Sequence, residues 1–85
     1  MPGPLEAEMH RRLAAALTPT QLAISNESAR HHGHAGDDGS GESHFALEIS
    51  APALAGLNRV AQQRAVYAAL GDLMDKIHAL SIKVL

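Results

Sequence analysis

The chain of 85 residues contains no cysteine and no tryptophan, and its aromatic residues besides histidine are one Tyr and one Phe. Without cysteine, no disulfide can stabilise so small a core, and a metal site formed by this chain alone must use histidine and carboxylate ligands. Two aromatic side chains offer little surface on which nucleic-acid bases could stack. The lack of cysteine also fits a reducing compartment, and we expect a cytoplasmic protein.

Excess basic charge and long apolar runs are missing as well. The formal net charge is −2 with neutral histidines, so the chain has no strong positive field for non-specific nucleic-acid binding. No apolar run approaches the ~20 residues that a membrane span needs. The N-terminus has no basic region followed by an apolar stretch, which argues against a signal peptide. We therefore expect a single domain over residues 1–85 that does not associate with a membrane.

Histidine, in contrast, is concentrated in one place. Four of the six histidines lie between Ser25 and Phe45, namely His31, His32, His34 and His44. Residues 26–42 are otherwise rich in glycine, aspartate and serine, which predicts a flexible loop. Loops of this length in small domains are usually functional or disordered. Histidine-rich loops bind metal ions opportunistically, so the residues alone allow both metal capture and a solvated loop without chemistry.

Apolar residues at steps of three and four predict two amphipathic helices. The first begins near Pro4, where a first helical turn tolerates proline, and Pro19 ends it. Asn58 is the predicted N-cap of a long second helix that continues to Ile77. The apolar stripes are Leu5, Met9, Leu13, Ala16 and Leu17 in the first helix and Val66, Leu70, Leu73 and Ile77 in the second.

Three further segments alternate between apolar and polar residues, as half-buried strands do. They are residues 22–25, residues 44–50 and a third strand that starts at Ala79 and carries Leu80, Ile82 and Val84. In the second strand, Phe45, Leu47 and Ile49 share one face, and His44, Ala46, Glu48 and Ser50 share the other.

The element order helix, strand, strand, helix, strand predicts an α+β domain. The first two strands can form an antiparallel hairpin, and the second helix can serve as a right-handed crossover to a parallel third strand. Both helices are then expected on one face of a three-stranded mixed sheet, with Glu48 and Lys83 on a face exposed to water. The expected core consists of Leu47, Ile49, Leu70, Leu73, Ile77, Leu80 and Ile82, closed over by Leu13 and Leu17.

No catalytic arrangement is recognisable, so we do not expect an enzyme. Ser43 precedes His44, but neighbouring residues on a strand point to opposite faces, which argues against a dyad. For His44 we expect a structural or hydrogen-bonding role rather than metal ligation.

Four motifs, in this order and at this spacing, resemble the BolA family: "LAISNES" (22–28), "GESHFALEIS" (41–50), "NRVAQQRAVYAAL" (58–70) and "IHALSI" (77–82). The resemblance implies a class II KH-like fold and a non-enzymatic partner of monothiol glutaredoxins. Such a pair shares a [2Fe–2S] cluster, to which the glutaredoxin and glutathione contribute thiolates and the BolA-type protein contributes imidazole. The family's other role is transcriptional regulation linked to cell shape and stress.

The resemblance also implies which histidines are ligands. The histidine of the "HAL" motif is His78, and the loop ligand of histidine-type members, three positions after the serine of "NES", is His31, with His34 as a local competitor. The chain alone would be apo, as a monomer or weak homodimer. From the residues alone, His78 has another explanation, because a histidine suits the negative end of a helix dipole.

A DNA-binding regulator is the competing hypothesis, and a metal-buffering loop on a structural domain is a third. The candidate nucleic-acid contacts are Arg59, Gln62, Gln63 and Arg64 on the second helix. The family's usual "RHR" reads "QQR" here, and the nucleotide-clamping GXXG loop of KH domains is absent, since "GLNR" has only the first glycine. A solvated helix face is the alternative explanation for these four residues.

Overall fold

The structure, a computed structural model, describes residues 3–27 and 43–85. It contains helix α1 (Pro4–Leu17), strand β1 (Gln21–Asn26), strand β2 (His44–Ser50), helix α2 (Arg59–Leu70) and strand β3 (Ala79–Val84). Short 3₁₀ segments precede and follow α2, at Pro52–Leu54 and Gly71–Lys76. The element order confirms the predicted α+β domain. In the part of the chain described, no helix is long and apolar enough to cross a bilayer.

The three strands form one mixed sheet with β2 in the centre. Strand β1 runs antiparallel to β2, with Asn26 opposite Phe45, and β3 runs parallel to β2, with His44 opposite Ala79. The predicted antiparallel hairpin and the predicted parallel direction of β3 are therefore confirmed. Strand β1 extends one residue into the predicted loop, since Asn26 still pairs with β2.

Helix α1 has the predicted bounds. Pro4 occupies its first turn, and Met9, Leu13 and Leu17 form its buried stripe. Thr18 ends the helix in the left-handed region, with a φ of 47°, and its N–H donates to the Ala14 carbonyl at 3.1 Å. The following proline, with no N–H of its own, cannot continue the helical hydrogen bonds.

Helix α2 begins as predicted but ends earlier. The Asn58 side chain caps it, because Oδ1 accepts a hydrogen bond from the Ala61 N–H at 2.8 Å. The prediction that this helix continues to Ile77 is wrong, since the α-helix ends at Leu70. Gly71 follows with a φ of 57°, a conformation that favours glycine, and the chain then tightens into the second 3₁₀ segment.

The core lies between the helices and the Phe45 face of the sheet. Leu80 and Ile82 are half-buried rather than buried, which corrects their predicted place in the core, because β3 is an edge strand and the helices cover it only in part. Leu54 is fully buried although it belongs to a predicted connection. The buried apolar side chains are Met9, Leu13, Leu17, Phe45, Leu47, Ile49, Ala51, Leu54, Val66, Leu70, Leu73 and Ile77.

A polar cluster connects α1 to the end of α2. Arg12 donates through Nε to Glu8 at 2.9 Å and through Nη1 to the Leu70 carbonyl at 3.0 Å, and it also pairs with Asp72. Hydrogen bonds lower the pKa of Glu8 to about 2, with the larger effect from Arg11 and the next from Arg12. The Arg12 hydrogen bond likewise lowers the pKa of Asp72.

Candidate metal-ligating site

Three residues come together where β2 and β3 begin. Strand β2 starts at His44, and β3 starts beside it at Ala79. Because the two strands are parallel, the residues that precede them meet at the same edge of the sheet. Ser43 and His78 are therefore neighbours in space, although a helix separates them in sequence.

Ser43 holds the backbone of this site together. Its carbonyl accepts hydrogen bonds from the His78 N–H at 2.7 Å and from the Ala79 N–H at 3.2 Å. Its side chain is completely buried. The backbone of His78 is thus fixed at the start of β3.

The Ser43 hydroxyl also contacts the neighbouring histidine. Ser43 Oγ lies 2.8 Å from His44 Nδ1, and the His44 side chain is only 7% exposed. The prediction that these two side chains point apart is wrong, because Ser43 lies in a bend before the strand, where strand alternation does not apply. His44 does have the hydrogen-bonding role expected of it, but it is buried rather than placed on a water-exposed face.

His78 differs from His44 in being exposed. The centroids of the two imidazole rings are 5.8 Å apart and the ring planes are inclined by 45°. Neutral imidazole is a common metal ligand, so an exposed ring at a fixed point of the backbone suits a metal that approaches from solvent. Within residues 3–27 and 43–85, no three His, Asp or Glu side chains form a group that could hold a metal ion. A metal ion bound by His78 would therefore need ligands in addition to the described residues.

The residues on either side of the histidine-rich segment, which is defined as residues 28–42, lie at this edge of the sheet. Glu27, just before the segment, donates its N–H to the His44 carbonyl at 2.7 Å, and Ser43 follows the segment directly. The predicted ligands His31 and His34, and most of the predicted flexible loop, lie outside the described residues. Their roles stay predictions.

Three of the four candidate nucleic-acid contacts share one groove. Arg59, Gln62 and Gln63 line a shallow depression of about 280 Å³ between α2 and β3, together with Ile82, Lys83 and Val84. The Gln62 side chain also has a structural role, since Nε2 donates to the Leu54 carbonyl at 3.1 Å. Arg64 is exposed and does not line this groove.

The sequence pattern of BolA-like proteins matches residues 13–85. The chain belongs to the BolA-like protein family. It is 40% identical over 81 residues to an uncharacterised protein in the cobS 5' region of a Sinorhizobium species, a match that covers 93% of this chain and 87% of the relative. It is 39% identical over 82 residues to human BolA-like protein 1, which covers 95% of this chain but only 57% of the human protein.

Solved structures agree with this assignment. The BolA domain of SufE1 from Arabidopsis thaliana superposes with a TM-score of 0.85 at 32% identity, over 99% of this chain and 93% of that one. The family resemblance and the α+β architecture predicted from the sequence are both confirmed. The relation to KH domains and the cytoplasmic location stay predictions.

Proposed function

We propose that this chain is a non-enzymatic partner of a monothiol glutaredoxin and shares a [2Fe–2S] cluster with it. The cluster is what the pair transfers or senses. Thiolates of the glutaredoxin and of glutathione supply the cluster ligands that this chain does not supply. The observation that carries the proposal is the exposed imidazole of His78 at the same sheet edge as the residues on either side of the histidine-rich segment.

The proposed ligands from this chain are His78 and one histidine of the segment, His31 or His34. Imidazole in place of thiolate raises the reduction potential of a [2Fe–2S] centre, so the shared cluster should be more oxidising than one held by thiolates alone. This chain has no cysteine, which agrees with a protein that is apo alone and binds the cluster only in the complex. The free chain is then a monomer or a weak homodimer.

The partnership can be tested by titrating the purified chain into a glutaredoxin that carries a [2Fe–2S] cluster with glutathione. A complex containing both proteins and the cluster should form, and its charge-transfer absorbance should differ from that of the glutaredoxin alone. His31→Ala and His34→Ala identify the loop ligand, since only the true ligand should alter the new spectrum. An unchanged spectrum at excess chain, with no complex on size-exclusion chromatography, would exclude the proposal.

A DNA-binding regulator is the second candidate, and the groove between α2 and β3 is the observation that favours it. Arg59 lines the groove, and no acidic side chain of the described residues does. Lys83 also lines it, but the Lys83 ammonium lies 3.9 Å from the Glu48 carboxylate, which partly neutralises its charge. The net charge of −2 opposes tight phosphate binding. If DNA is bound here, affinity should fall with rising salt, and Arg59→Ala should weaken binding and reduce the salt dependence. DNA binding that Arg59→Ala leaves unchanged would exclude this groove.

A further inference from the structure

Ser43 is a completely buried polar residue whose carbonyl and hydroxyl groups both make hydrogen bonds at this site. Its carbonyl binds the backbone of His78, and its hydroxyl binds the ring of His44. A buried hydroxyl is costly unless it is hydrogen-bonded, and packing alone would be served by alanine. The hydroxyl has the His44 ring as a hydrogen-bond partner.

The backbone hydrogen bond fixes where the His78 side chain starts but not where its ring points. An exposed side chain changes rotamer within picoseconds to nanoseconds unless something contacts it. Among the described residues, the ring of His44 contacts the ring of His78, since a centroid distance of 5.8 Å falls within the range of packed ring pairs. His44 is itself immobilised by burial and by the hydrogen bond at Nδ1.

We propose that Ser43 and His44 are positioning residues, which hold the His78 imidazole in one orientation for metal ligation. The inference rests on the proposed function, and it assigns His44 a role through His78 rather than as a ligand. A ligand that is already oriented loses less side-chain entropy on binding. Residues that orient metal ligands in this way typically change metal affinity about 10–100-fold when they are replaced.

The first test uses the apo chain without iron or glutaredoxin. We expect NMR relaxation and coupling constants to show a single ordered orientation of the His78 ring in the unaltered chain. His44→Ala should release the ring into rotamer averaging. His44→Phe, which keeps a buried ring but loses the hydrogen bond to Ser43, should restore most of the order. Averaging in the unaltered chain, or the same order in His44→Ala, would overturn the inference whether or not a cluster is ever shared.

The second test uses the complex with the cluster-bearing glutaredoxin. His44→Ala should weaken cluster binding in the complex by about 10–100-fold, measured as the concentration of chain that gives half of the new spectrum. His44→Phe should recover most of that loss. Ser43→Ala keeps the carbonyl that binds His78 and removes only the hydroxyl, so it should produce a smaller loss in the same direction. If His44→Phe abolishes the shared spectrum as fully as His78→Ala does, His44 is a ligand and the positioning role is wrong.

The two tests separate the failure of this inference from the failure of the proposed function. If the unaltered chain shares no cluster, the proposed function is wrong, while the order of the His78 ring in the apo variants still decides whether Ser43 and His44 position it. Thermal unfolding of each variant serves as the control for fold. If His44→Ala unfolds, Ser43→Ala in the apo chain takes its place, because loss of the hydroxyl should loosen the His44 ring and with it the His78 ring. An unchanged order of the His78 ring in Ser43→Ala would then overturn the inference.

Discussion

At the scale of single residues, the sequence predicts those side chains whose role follows from a local pattern along the chain. Leu73 follows from helical spacing, and Asn58 follows from the chemistry of an N-cap; the structure confirms both. The contact between Ser43 and His44 could not be predicted, because strand alternation assumes that the strand has already begun. A bend one residue earlier turns the Ser43 hydroxyl toward its neighbour.

Leu73 should be a sensitive core position. Its side chain is 3% exposed, so Leu73→Ala should lower the free energy of unfolding by roughly 2–5 kcal/mol through lost burial and the cavity left behind. Val60→Ala is the matched control, because Val60 is 56% exposed and its replacement should stay within about 0.5 kcal/mol. Urea denaturation of both variants decides the matter, and equal midpoints would contradict the packing.

The cap of α2 makes a second prediction at this scale. Asn58→Ala should cost about 0.5–2 kcal/mol of stability, because the Ala61 N–H loses its partner. Asn58→Asp retains an acceptor oxygen and should lose much less. Thermal unfolding of the two variants should therefore rank aspartate above alanine, and the reverse order would show that the side-chain hydrogen bond does not stabilise the helix.

At the scale of elements, types and order follow from hydrophobic periodicity, whereas two details depend on tertiary structure. The apolar stripe continues from Val66 to Ile77, so it predicts one long helix, yet the positive φ of Gly71 ends the α-helix at Leu70. The apolar stripe nevertheless stays on the core side of the chain, because the 3₁₀ segment still buries Leu73. Strand β3 is partly exposed because it is an edge strand, and the hydrophobic periodicity of a segment does not reveal its position in the sheet.

The connection between α1 and the end of α2 should be sensitive to acid. The pKa of Glu8 is lowered from 4.5 to about 2, so its charged form stabilises the fold at pH values above the unfolded pKa. That stabilisation is lost as pH falls from about 4.5 to about 2. Asp72, whose pKa is also lowered, acts in the same direction.

Arg12→Gln tests this connection. The variant should be less stable than the unaltered chain near neutral pH, and the difference in melting temperature should shrink as pH falls from about 5 to about 2. Arg64→Gln, which removes an exposed cation from α2, should show no such convergence. A difference that stays constant over this pH range would mean that Arg12 acts through packing or its hydrogen bond to Leu70 rather than through the carboxylates.

At the scale of the whole molecule, the parallel pairing of β2 and β3 creates the candidate site. It places His78 against Ser43 and His44, and the antiparallel pairing of β1 with β2 brings Glu27, just before the histidine-rich segment, to the same sheet edge. The crossover could be predicted from the element order, but the proximity of the His78 backbone to that edge could not, because it depends on where α2 ends and on the strand register. The family resemblance, rather than spacing, singled out His78.

The most direct test of the central claim is the visible circular dichroism of a cluster-bearing glutaredoxin mixed with the chain or with His78→Ala. We expect the unaltered chain to produce a new spectrum and His78→Ala to abolish or grossly alter it. His10→Ala, which removes an exposed histidine from α1, should behave like the unaltered chain. Both replacements are at exposed positions and should change stability by no more than about 0.5 kcal/mol. If His78→Ala gives the same new spectrum as the unaltered chain, His78 is not a ligand and the proposed cluster sharing through this site is wrong.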